Sequence, residues 1–126
     1  LAVEFTPYSA LDTLQAARML QDEVGPDRCG LVLDSLHLAR ASTDLSELAD
    51  LRASDVAVVQ WSDAPAGPPT DLATESRHAR LLPGEGGLPL TAEVLSARLR
   101  ADDPSRVTAA VHAALTARGG GWRPSA

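Results

Sequence analysis

The chain has 126 residues, 44% of them hydrophobic and 22% charged, with a formal net charge of −6. This is an ordinary globular mixture, large enough for one domain with a real core, and it argues against disorder. The acidic balance argues against a nucleic-acid partner, which takes clustered Lys and Arg. The longest apolar runs, Leu31 to Leu33 and Val56 to Val59, fall far below the roughly 20 residues of a membrane-spanning helix.

All eleven basic residues are Arg, so the chain offers no Lys for a Schiff base or a phosphate loop. The segment Leu1-Ala2-Val3-Glu4-Phe5 lacks the basic and apolar regions of a signal peptide. The single Cys29 reads as a small buried thiol with no internal disulfide partner. A cytoplasmic protein is expected.

In chain order, Leu1 to Phe5 reads as a strand. Ser9 stands three residues before Asp12, a capping-box spacing that predicts a helix with Leu14, Ala17, Leu20 and Val24 as its apolar face and Gly25-Pro26 as its stop. Cys29 to Leu33, ending in Asp34, has the continuous apolar character of a strand buried on both faces, as in a parallel sheet. A second helix is expected with Asp44 and Glu47 in its first turn and Leu45, Leu48 and Leu51 on its inner face.

Val56 to Val59 is the third strand, ending in the polar groups Gln60, Ser62 and Asp63. The segment from Ala64 to Pro89 is rich in Pro and Gly and reads as a long functional loop. Thr91 caps a helix through Leu99, with Leu90 and Leu95 as a staple. A last helix starts at Asp103-Pro104 and carries His112, read as a surface residue. No strand fits between Arg100 and Asp103.

Alternating strands and helices imply a parallel sheet with right-handed crossovers. Function in such sheets gathers at the C-terminal ends of strands, and here each strand ends in a potential oxygen ligand: Glu4, Asp34 and Gln60. That donor set suits a hard divalent cation. In Asp34-Ser35-Leu36-His37 the imidazole follows one turn beyond the carboxylate, in reach of a shared ligand or a moving proton. Arg77 and Arg80, three residues apart and flanking His78, could clamp a carboxylate or phosphate, and Gly84 and Gly86 would let that loop fold over a site. Trp61 is expected to pack between sheet and helices.

Taken in series, Leu-Ala-Val-Glu-Phe, Gly-Leu-Val-Leu-Asp-Ser-Leu-His, Val-Val-Gln-Trp-Ser-Asp-Ala and Arg-His-Ala-Arg-Leu-Leu-Pro-Gly-Glu-Gly resemble xylose-isomerase-like TIM barrels, a group of sugar phosphate isomerases and epimerases. They look like the fifth, sixth and seventh strands and the loop after the seventh. The fold expectation is α/β: the C-terminal part of a (β/α)8 barrel over residues 1–118, three parallel strand–helix units plus a terminal helix with the eighth strand missing, then a flexible tail at 119–126.

The resemblance implies a divalent metal, Mg or Mn with Co or Zn as alternatives, held by Glu4, Asp34 and Gln60. It implies His37 as the catalytic residue and Arg77, His78 and Arg80 as substrate-binding residues. Gln60 stands where the family often has a His and, with the Arg-His-x-Arg loop, is similar to the 3-dehydroshikimate dehydratase branch; it also disfavours a DNA-repair endonuclease of the same superfamily. The implied chemistry is proton abstraction beside a carbonyl in a small anionic sugar or cyclic hydroxy acid. The competing expectation is a non-catalytic half-barrel that associates through open sheet edges, and this chain alone is expected to be inactive.

Overall fold

A computed structural model describes residues 1–89. The expected helices after Thr91 and Asp103, His112, the gap before Asp103 and the boundary at 118 all lie outside the described residues. Within them the order is β1 (Ala2–Glu4), α1 (Leu14–Val24), β2 (Gly30–Asp34), α2 (Ser35–Arg40), 3₁₀ turns at Leu45–Asp50 and Ala53–Asp55, β3 (Val56–Gln60) and α3 (Leu72–His78).

The three strands form one parallel sheet in sequence order. Val3 pairs with Leu31 and Glu4 with Val32; Val32 pairs with Val58, Leu33 with Val59 and Asp34 with Gln60. An irregularity between Leu31 and Val32 shifts the β2–β3 register. Beside it the two strands approach closely: a Cβ on Gly30 would collide with the side chain of Ala57, so glycine is what the approach requires.

Alternation along the strands divides the sheet. Val3, Phe5, Leu31, Leu33 and Val59 belong to the main core, with Leu14 and Ala17 of α1, Leu38 of α2, and Leu48 and Leu51. Trp61 packs against the same core, as expected. Each fully buried leucine contributes roughly 1.5–3 kcal/mol of transfer free energy. By the same alternation Glu4, Val32, Asp34, Val58 and Gln60 belong to the opposite face.

Four local expectations are corrected. Helix α1 starts at Leu14, where Thr13 Oγ1 accepts from Ala16 N–H at 3.2 Å; Ser9 instead bonds the carbonyls of Thr6 and Leu11 within the preceding turn. Its inner face carries Gln21 rather than Leu20, which is 40% exposed, because Gln21 Nε2 donates to the carbonyls of Cys29 and Asp55, both at 2.8 Å. The second helix follows β2 directly at Ser35, and the Asp44–Leu51 region forms a 3₁₀ turn capped by Asp44. Finally, the long loop after β3 contains α3, capped by Asp71, whose Oδ1 accepts from Ala73 N–H and Thr74 N–H. The stop at Gly25 and the buried free Cys29 stand as expected. Among the described residues no helix is long and apolar enough to cross a membrane.

Candidate metal centre

Asp34 ends β2 and is fully buried. Its Oδ1 accepts from the backbone N–H groups of Leu36 (2.8 Å) and His37 (3.3 Å), so the carboxylate is itself the N-cap of α2. That cap brings the chain straight from strand into helix and sets the His37 ring beside the strand ends. Glu4, at the end of β1, lies 3.8 Å from His37 Nε2 through Oε1. Ligand atoms of Glu4, Asp34 and His37 all fall within 4.8 Å of one another.

Arg80 enters this cluster from the segment after α3. Its Nη1 donates to Asp34 Oδ2 at 2.6 Å and to Ser62 Oγ at 3.0 Å, and its Nη2 lies 3.4 Å from His37 Nε2. Ser76 braces it from below, the carbonyl accepting from Nε at 2.7 Å and the hydroxyl from Nη2 at 3.2 Å. Ser62 is fixed in turn by Ser35, whose Oγ donates to the Ser62 carbonyl and accepts from its N–H.

Charge and burial tune two of the three donors. Burial raises the Glu4 pKa above the usual carboxylate range; the neighbouring Asp34 charge adds to the rise, and Arg80 partly offsets it. Burial lowers the His37 pKa, an effect that Arg80 reinforces and Asp34 opposes. The imidazole is therefore neutral near pH 7, the form that can bind a metal or accept a proton. Two carboxylates and a neutral imidazole are a fitting donor set for a divalent cation, and the pocket already draws one positive group, the Arg80 guanidinium, into contact with Asp34.

The other expected site residues are placed unequally. Gln60 ends β3 opposite Asp34 in the register and so shares its sheet face, with its side chain exposed. Arg77 stacks over the Tyr8 ring at 5.9 Å, and His78, the last residue of α3, is exposed. The two arginines thus part company: Arg80 enters the cluster and Arg77 stays at its rim.

Several supporting residues carry no sequence signal of this role. Tyr8 sets its ring edge-on to His37 at 5.9 Å and donates to Ser76 Oγ at 3.1 Å, linking the loop after β1 to α3. Arg40 and Glu75 form a two-bond ion pair, 2.8 and 2.6 Å, while Arg40 also donates to the Pro65 carbonyl, which ties α2, α3 and the intervening loop together. Asp63, buried after β3, accepts four backbone N–H bonds: Ala64 and Leu88 on Oδ1, Gly84 and Gly86 on Oδ2. It also forms an antiparallel bridge with Leu81, the residue after Arg80. A Cβ on Gly86 would strike the Asp63 carboxylate and the Ala64 carbonyl, which is why that turn needs glycine. Only a strand-end acid followed by a Gly-x-Gly turn hinted at this latch.

No protein-family profile matches the chain. A stretch of 61 residues, 48% of the chain and 10% of the relative, is 41% identical to a 3-dehydroshikimate dehydratase of Pseudomonas aeruginosa. Among solved structures, a xylose isomerase-like TIM barrel/4-hydroxyphenylpyruvate dioxygenase fusion protein matches with a TM-score of 0.68 and 26% identity, over 78% of this chain and 15% of that one. The IolI protein with a bound zinc atom matches with a TM-score of 0.68 and 19% identity, over 91% of this chain and 47% of that one. A xylose isomerase domain protein from Alicyclobacillus acidocaldarius gives 0.62 and 21%, over 91% and 49%. The chain thus spans at most about half the length of each of these proteins. Its three parallel strands and their helices have the fold of part of a xylose isomerase-like TIM barrel.

Proposed function

We propose that this chain carries the metal-binding face of an enzyme that abstracts a proton beside a carbonyl, in the sugar isomerase and dehydratase class, with 3-dehydroshikimate as the first substrate to test. The observation that carries the reading is the convergence of Glu4, Asp34, His37 and Arg80 at the C-terminal strand ends, where this fold gathers its chemistry. The match to a 3-dehydroshikimate dehydratase and the Gln60 side chain on the same sheet face favour the dehydratase branch.

Glu4, Asp34 and His37 would hold the divalent ion, with Gln60 as a neutral fourth donor. When bound, that ion would supply Lewis-acid stabilisation of the negative charge that develops on the substrate's carbonyl oxygen. The rest is the work of side chains. His37 Nε2, neutral at pH 7 and 3.8 Å from Glu4, can accept or pass on a proton only in the state in which that nitrogen does not hold the ion. Arg80, with its side chain 29% exposed, and the exposed Arg77 and His78 offer positive charge to an anionic substrate group.

The test is an assay of the purified protein with Mn²⁺ or Mg²⁺ on 3-dehydroshikimate and, separately, on ketose phosphates. Loss of water from 3-dehydroshikimate, giving the unsaturated acid, is the expected result. Turnover of ketoses alone would overturn the dehydratase branch. A second reading, a non-catalytic half-barrel that associates with a second copy or further strands, is favoured by one feature: within the described sheet, β1 and β3 each pair on one side only. Sedimentation analysis showing a dimer without turnover would support it over catalysis.

A further inference from the structure

Asp34 divides its two oxygens between different duties. Oδ1 is committed to the backbone N–H groups that start α2, so a cation can reach the carboxylate only through Oδ2, the atom Arg80 holds at 2.6 Å. The same guanidinium lies 3.4 Å from His37 Nε2, so it contacts two of the three residues of the cluster at once. Arg80 nonetheless has an anchor outside the cluster, since its Nε donates to the Ser76 carbonyl at 2.7 Å. To leave Asp34 the head group must also give up Ser62 Oγ at 3.0 Å, while both of its bonds to Ser76 lie outside the cluster and can hold it as it turns. With its side chain 29% exposed, it has solvent to turn into.

We infer that Arg80 is a displaceable latch, a resident cation that competes with the divalent metal for Asp34 and that metal binding releases toward an incoming anionic substrate group. This rests on the reading of Glu4, Asp34 and His37 as metal ligands. The latch balances the buried Asp34 carboxylate, lowers the affinity for metal, and orders the events: the cation first, then the anion that the freed guanidinium can clamp. Arg77 lacks this role because it lies over Tyr8 and not on a ligand atom.

Mn²⁺ binding followed by electron paramagnetic resonance tests the idea on the purified chain, its R80Q and R77Q variants, and D34N. R80Q is expected to bind Mn²⁺ about tenfold to a hundredfold tighter, the worth of one charge-assisted hydrogen bond. R77Q removes the same charge without freeing a ligand atom and should change binding by less than about threefold. Equal or weaker binding by R80Q, or equal tightening by R77Q, overturns the latch and leaves the metal site standing. Failure of every variant to bind Mn²⁺ overturns the metal site and the latch together. Guanidinium NMR of the unaltered chain gives a reading that depends on no substitution. Saturating Mg²⁺ should free the restrained Arg80 head group, and an unmoved signal counts against the latch.

Discussion

Two buried aspartates stand at the C-terminal edge of this sheet, and they are satisfied in opposite ways. Asp63 has all four of its hydrogen bonds from backbone N–H groups, which pins the turn from Gly84 to Leu88 against the end of β3. Asp34 has two bonds from backbone and one from a side chain that can leave. Burial alone would raise the Asp63 pKa, but the backbone bonds outweigh it and hold the group below its ordinary value. A strand-end carboxylate is thus structural when the main chain fills its lone pairs and open to exchange when a side-chain cation fills one. Burial does not separate the two cases, since both are nearly inaccessible.

The largest expected effect lies on the structural side. Asp63→Ala would leave the Gly84, Gly86 and Leu88 N–H groups without their acceptor and free the segment that follows Arg80. A loss of about 3–5 kcal/mol in urea unfolding is expected. It should persist with or without Mn²⁺; a loss under about 1 kcal/mol would mean water replaces the carboxylate and would dissolve the contrast. Asp34→Asn comes next. The amide oxygen can still cap α2, while Arg80 loses its anion but remains partly solvated, so about 1–2 kcal/mol is expected. Mn²⁺ binding should disappear altogether. Retained binding would shift the metal away from Asp34.

The same contrast explains what could be read from the chain beforehand. β2 is legible because a run of Leu and Val closed by an acid has few other solutions, and β3 because Val-Ala-Val-Val is a short, mostly β-branched run closed by a polar residue. The start of α1 is not, because Ser9 and Thr13 are both good caps, and only the turn at Thr6 to Leu11 decides which hydroxyl is free to cap. α2 was displaced in the sequence reading because leucines at Leu45, Leu48 and Leu51 have helical spacing, whereas the side chain that starts the helix is Asp34, an apparent strand residue. For the site, strand-end position singles out Glu4, Asp34 and Gln60, with His37 one turn beyond Asp34; the structure gathers Glu4, Asp34 and His37 within 4.8 Å and leaves the Gln60 side chain exposed. The separation of Arg80 from Arg77 is not legible, because it depends on where α3 ends and on Tyr8 arriving from the loop after β1.

The smallest effect is a pH dependence, and it sharpens the comparison because the two tuned groups act in opposite directions. His37 has its folded pKa below 6.5, so the unfolded chain binds a proton more readily; stability is complete above that value and declines as pH falls below it. Glu4 has its folded pKa above 4.5, so its contribution is complete below that value and is lost as pH rises through the folded pKa. Thermal unfolding between pH 4 and pH 8 should accordingly show Glu4→Gln gaining stability at pH 7 and nothing at pH 4, while His37→Gln flattens the acid side. Asp63 moves the other way from Glu4: its contribution is present above 3.8 and is lost only as pH falls through its lowered folded pKa. A strand-end carboxylate held by main chain therefore survives into acid, whereas the one facing Asp34 is already strained at neutral pH. Saturating Mg²⁺ should remove the Glu4→Gln advantage at pH 7, because a bound cation offsets the same burial cost and the same Asp34 repulsion that the substitution relieves. If the advantage is unchanged in Mg²⁺, Glu4 is not a ligand and its raised pKa is only a consequence of burial.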